Sequence, residues 1–269
     1  KEIGEQPQVI KSLISKYFTF DSTFINRQQT STWDALLTDI SRIHIVACGS
    51  AYYSGLVGRC SLESISRVGV SVDLASEFRY AQPVITPQTL VIAISQSGET
   101  ADTLACVDYI KKRGAKVLAL CNSRYSSLTR SSDSTFYMEA GPEIGVASTK
   151  AYSAMMFSFY VIACTLAHKR SLLSEQQKEQ ITKNLRFLPT HLDTVISSEP
   201  EIKEVSKEYA PISSCLFIGR GSSYPLALEG ALKLKEISYI HAQGYAAGEL
   251  KHGPIALIDS NSVVIAIAS

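Results

Sequence analysis

The chain has 269 residues, 45% apolar and 19% charged, enough for a sizeable core and unlike a disordered segment. Its 26 Lys and Arg balance 25 Asp and Glu to a formal net charge of +1, without the basic excess that nucleic acid or an anionic membrane surface selects. The nearest approach to a membrane span, Ala154–Ala167, contains Ser158 and Thr165 and is too short to cross a bilayer; it reads as a buried helix, so no membrane partner is expected.

The N-terminus, Lys1-Glu2-Ile3-Gly4-Glu5, has neither a Met start nor an apolar signal region, and residues 1–42 read as a linker or helical lead-in to a first unit over 43–170. Within that unit short apolar runs alternate with helical stretches, the pattern of a parallel sheet covered by helices. Ile43–Cys48 stops at Gly49-Ser50 and is followed by a helix to about Arg67. Val70–Leu74 and Leu90–Ser95 are the next strands, and Thr100–Arg113 is a helix closed by Gly114. Lys116–Cys121 and Thr135–Glu139 complete the strands, and Ser148–Leu166 is a long apolar helix. Ser174–Ile196 is amphipathic, with Ile181, Leu185, Leu188 and Leu192 on one face, and is predicted to be the helix of a connection over 171–213.

From about 214 the pattern restarts: Leu216–Gly219 as strand, Tyr224–Tyr239 as helix and Val263–Ala268 as strand. A fixed offset of 172 aligns Cys48-Gly49-Ser50-Ala51-Tyr52 with Arg220-Gly221-Ser222-Ser223-Tyr224, and Ala75-Ser76-Glu77-Phe78 with Ala247-Gly248-Glu249-Leu250. Leu62 and Ile65 fall on Leu234 and Ile237 at the same offset. The fold class is therefore α/β: two tandem copies of one unit with parallel sheets, the second (214–269) incomplete at its C-terminus. By the repeat length, a further segment of roughly 60–70 residues is expected to complete the second copy.

The six cysteines are scattered with no C-x-x-C pair, several inside apolar runs, so reduced thiols in a cytoplasmic protein are expected, with no metal and no cofactor.

The sharpest local feature is Ile94-Ser95-Gln96-Ser97-Gly98-Glu99-Thr100, between a predicted strand and a predicted helix. Hydroxyls and backbone N–H groups at a helix N-terminus suit an anion. Without a lysine in the loop, a monophosphate held by neutral donors fits better than a nucleotide. Plain helix capping by Ser97 or Thr100 is the competing account. Gly145-Val146-Ala147-Ser148-Thr149-Lys150 is a second hydroxyl cluster before a helix and, alone, reads first as an N-cap. The turn at Cys48-Gly49-Ser50 is ambiguous by itself.

The second copy carries the titratable groups. Glu229, Lys233 and Glu236 lie at i, i+4 and i+7 on one predicted helix, either a solvated ion-pair stripe or an acid–base face. Glu249-Leu250-Lys251-His252-Gly253-Pro254 adds a histidine in a Gly-rich loop.

Together, Ser95–Thr100, Gly145–Lys150 and Leu232-Lys233-Leu234-Lys235-Glu236-Ile237-Ser238-Tyr239 resemble sugar-isomerase (SIS) domains. The stretch Gly244–Pro254 narrows the resemblance to the isomerase domains of the glutamine:fructose-6-phosphate aminotransferase family. The resemblance covers nearly the whole chain. It implies two SIS-type α/β/α units binding fructose 6-phosphate, with substrate contacts from Ser50, Ala51, Ser95, Gln96, Ser97, Thr100, Val146 and Ser148. The family's usual Cys-Gly-Thr-Ser turn reads Cys48-Gly49-Ser50-Ala51 in this chain, which leaves only backbone contact at Ala51. It further implies Glu236 as the base moving a proton between C1 and C2, Lys233 assisting the sugar hydroxyls, and His252 opening the ring from a neighbouring subunit of a homodimer. An N-terminal glutaminase domain and a C-terminal tail carrying a Schiff-base lysine are expected outside this chain. A non-catalytic phosphosugar sensor and a simple phosphosugar isomerase are the alternatives. The sensor has no need of Lys233, Glu236 and His252 together.

Overall fold

In a computed structural model, which describes residues 1–21 and 23–268, the strand-like runs of the N-terminal part pair into one parallel sheet. Its strands are β1 (Arg42–Ala47), β2 (Gly69–Leu74), β3 (Thr89–Ser95), β4 (Lys116–Cys121) and β5 (Ser134–Tyr137), in the order β2-β1-β3-β4-β5. Ile43 pairs with Val70 on one side and Leu90 on the other, and Ile92 pairs with Leu118. Successive side chains alternate between the two faces. Ile43, Ile45, Leu90, Ile92, Leu118 and Leu120 enter one core, while Val46, Val91, Ala93, Val117 and Ala119 enter the other. Both faces are covered, which is why these strands appear in the sequence as unbroken apolar runs.

The helices that cover them are α1 (Gln6–Tyr17), α2 (Arg27–Asp34), α3 (Gly49–Ser61), α4 (Ala75–Phe78), α5 (Ala101–Lys111), α6 (Ser127–Ser131), α7 (Lys150–Lys169) and α8 (Glu175–Ser197). The larger core takes Leu13 and Ile14 of α1, Trp33 of α2 and most of α7; the smaller takes Phe78 of α4, Cys106, Val107 and Ile110 of α5 and Leu128 of α6. The N-terminal stretch is thus an integral layer of this unit: Val9, Ile10, Leu13, Ile14 and Tyr17 are all buried. α7 runs 20 residues, longer than its apolar run suggested, and by length and composition is long enough to cross a membrane. Most of it is buried inside the unit, as expected of a core helix. Ile181, Leu185, Leu188 and Leu192 of α8 face the larger core, as their spacing predicts.

The chain divides into two units, Lys1–Glu143 with Thr149–Leu192, and Ile144–Ser148 with Asp193–Ser269. The second contains α9 (Glu199–Glu208), β6 (Ser214–Gly219), α10 (Ser223–Ser238), β7 (His241–Ala246) and β8 (Ser262–Ile267), with sheet order β7-β6-β8, all parallel. β6 and β7 begin 172 residues after β1 and β2, and β7-β6-β8 repeats the order β2-β1-β3. Gly49 and Gly221, also 172 apart, have φ of +57° and +56° at the same strand-to-helix turn. The core of this unit is small, built on Cys215, Ala231 and Ala242.

Candidate functional site

In the first unit the candidate phosphate loop leaves the carboxyl end of β3, the end at which open α/β sheets bind ligands. Ser95 is buried, and its Oγ accepts the Gly98 N–H at 2.9 Å and bonds Thr100 Oγ1 at 2.9 Å. Ser97 is exposed and its Oγ accepts the Glu99 N–H at 3.2 Å. Thr100 is the N-cap of α5, yet its side chain makes no capping bond. Capping therefore does not account for the loop's hydroxyls. Gly98 sits at φ +71°, and a Cβ there would stand 2.0 Å from Ser126 Oγ, so only glycine fits. Glu99 turns to the Ser127 N–H at 2.8 Å, and that bond holds its carboxyl below the usual range.

Ser50 and Ala51 open α3 after the Gly49 turn, with Ala51 buried and Ser50 half-buried. The second hydroxyl cluster is not the simple N-cap expected. Thr149 gives α7 no side-chain cap; instead the Glu143 carboxylate accepts the Thr149 N–H at 2.8 Å, Thr149 Oγ1 at 3.1 Å and the Ala151 N–H at 3.2 Å. An acidic residue at the positive end of a helix is favourable. Sequence spacing gave no sign of it, since Glu143 lies six residues upstream across a loop. Val146 is almost fully exposed and Ser148 half-buried, both in the second unit.

In the second unit, α10 brings Glu229, Lys233 and Glu236 together. Lys233 Nζ lies 3.3 Å from Glu229 Oε1 and 2.7 Å from Glu236 Oε2. Glu229 is only 5% exposed, so the solvated-stripe account fails for this helix face. A buried carboxylate is costly without a cation and hydrogen bonds, and Lys233 supplies the cation. The same ammonium lies against the half-buried carboxyl group of Glu236 as a hydrogen-bond donor. Such a pair can pass a proton and steady the negative charge that develops as it moves. His252 is exposed at the end of a short 3-10 helix, Ala247–His252, followed by Gly253 at φ +132°. Glu229 was recognisable in the i, i+4, i+7 spacing, but its burial was not.

The family model described as the SIS domain matches residues 36–164 and 208–269. The chain is 44% identical, over its whole length, to a glutamine–fructose-6-phosphate aminotransferase (isomerizing) of Clostridium tetani, of which it covers 44%. It is 46% identical to the enzyme of that name from Mycolicibacterium smegmatis, with 99% of this chain and 42% of that protein aligned. The solved C-terminal domain of glucosamine-fructose-6-phosphate aminotransferase from Francisella tularensis superposes with a TM-score of 0.93 at 38% identity, covering all of this chain and 75% of that one. The chain spans less than half the length of the curated relatives it matches.

Proposed function

This chain belongs to the SIS domain family, and from that premise we propose that it is the isomerase portion of a glutamine:fructose-6-phosphate aminotransferase. It binds fructose 6-phosphate and, in the full enzyme, converts it with glutamine-derived ammonia to glucosamine 6-phosphate. The observation that carries this reading is the cluster on α10, one lysine between a buried and a half-buried carboxylate. A protein that only sensed a phosphosugar would need the hydroxyl loop and not this cluster.

Glu236 is the base that moves a proton between C1 and C2, and Lys233 assists the sugar hydroxyls and the charge that develops. Ser95, Gln96, Ser97 and Thr100 hold the phosphate, with Ser50, the Ala51 backbone, Val146 and Ser148 as further substrate contacts. His252 opens the ring from a neighbouring copy in a homodimer, a role its exposure on this chain supports. A glutaminase domain on the same polypeptide is consistent with the length of the relatives. Six free thiols support a cytoplasmic setting.

The test is hydrogen exchange of fructose 6-phosphate in heavy water, followed by NMR. The chain as it stands is expected to incorporate deuterium slowly. Glu236→Gln should lower the rate at least about a hundredfold while glucosamine 6-phosphate still binds. Exchange that persists in the variant removes Glu236 as the base.

A further inference from the structure

Lys150 is the first residue of α7 and is 3% exposed. A cation at the positive end of a helix is wrongly signed for the macrodipole, and a buried one is expensive to maintain. Neither capping, which Glu143 performs, nor core packing asks for lysine at this position. Its Nζ meets Glu5 Oε2 at 2.5 Å, and one turn along Ser153 Oγ donates to Gln6 Oε1 at 2.5 Å. Two neighbouring residues of the N-terminal stretch thus grip successive turns of α7. The ammonium in turn holds the Glu5 carboxyl below its ordinary value.

The far side of Lys150 leads to the candidate phosphate loop. A Cβ added at Gly141 would lie 3.7 Å from Lys150 Nζ, so the ammonium stands beside the turn at Gly141, φ +71°, with room for a methyl group between them. The Gly141 carbonyl accepts Asn122 Nδ2 at 2.8 Å, and Asn122 Oδ1 accepts the Ala140 N–H at 2.8 Å. Asn122 then donates its own N–H to the Gln96 carbonyl at 3.3 Å, which Ser123 Oγ also approaches at 3.4 Å. The same segment is tied to α1 a second time: Glu139 Oε1 accepts Lys16 Nζ at 2.8 Å and Arg124 at 2.9 Å. That pair is more exposed and correspondingly weaker.

We propose that Glu5 and Lys150 are a positioning pair for the phosphate loop: they fix the Gly141 turn, the turn fixes Asn122, and Asn122 fixes the backbone at Gln96. The inference rests on the phosphosugar reading for its effect on affinity, but not for its effect on the loop itself. Lys150 is the buried end of this pair and Glu5 the half-exposed one, and well-packed neutral replacements of a buried charge often match its stability. That property separates positioning from mere support.

The experiment compares the chain with Glu5→Gln, Glu5→Asp and the double variant Glu5→Gln/Lys150→Met. Three readouts are taken: the denaturant midpoint, amide hydrogen exchange without ligand, and the affinity for glucosamine 6-phosphate. Glu5→Gln should speed exchange at Gln96, Ser97, Gly98, Asn122, Ala140 and Gly141 and weaken binding about tenfold, with Glu5→Asp restoring part of both. The double variant should recover the midpoint and keep the fast exchange and the weak binding. Unchanged exchange at these residues in variants of matched stability overturns the proposal. If the unmodified chain fails to bind the sugar phosphate, the functional reading falls, and the ligand-free exchange still decides the role of the pair.

Discussion

Gly98 shows how a single residue sets the chemistry of a loop. Its positive φ turns the backbone so that the N–H reaches Ser95 Oγ, and the missing side chain leaves room for Ser126. Gly98→Ala would force a Cβ against Ser126 and Cys121 at a φ that side chains rarely adopt. A loss of about 2 kcal/mol in unfolding free energy is expected, measured by denaturant titration, together with loss of sugar-phosphate binding. A stable variant that binds normally would mean that the loop does not depend on this turn. The dipeptide Ser97-Gly98 was visible in the sequence, and so was the concentration of hydroxyls around it. The contacts of Gly98 with Ser126 and Cys121 were not, because they join segments more than twenty residues apart.

At the scale of elements, β1 carries a buried histidine within its apolar run Ile43–Ala47. His44 is buried, bonds Asp73 Oδ2 through Nε2 at 2.6 Å and meets Phe78 edge-on with ring centroids 4.9 Å apart. Burial outweighs the attraction of Asp73, Arg42 opposes protonation as well, and the imidazole is held below its ordinary value of 6.5. The fold therefore prefers neutral His44, while the unfolded chain takes up a proton as pH falls through about 6.5. Stability should decline as pH is lowered from 7 towards 5, and His44→Phe should flatten that decline in denaturant midpoints measured against pH. His168, likewise depressed by burial, adds to the slope in the same direction. An unchanged profile in the variant would show that His44 is not the group being titrated.

The strands buried on both faces were legible as runs, and α7 and α8 as an apolar and an amphipathic helix. β7 was not, because its residues, His241-Ala242-Gln243-Gly244-Tyr245-Ala246, contain only one buried side chain and form no apolar run. It was nonetheless implied by the repeat, since it begins 172 residues after β2. α1 was hidden for a different reason: its buried face is plain only once Val9, Leu13 and Tyr17 have a sheet to rest on. The site divides in the same way. Helical spacing put Glu229, Lys233 and Glu236 on one face, but the burial of Glu229 and the link from Lys150 to Glu5 are products of tertiary packing.

The molecule as a whole is one α/β unit used twice, with different chemistry placed on each copy. The first keeps neutral hydroxyls after its strands, and the second keeps a lysine between carboxylates on the helix that follows its first strand. On the proposed function the molecule binds a hexose phosphate. That function is tested most directly by calorimetric titration with glucosamine 6-phosphate, with free glucosamine and inorganic phosphate as separate controls. Saturable binding of the sugar phosphate at one site per chain is expected, far tighter than either control. Binding of phosphate alone with equal affinity, or no saturable binding of the sugar phosphate, would contradict it.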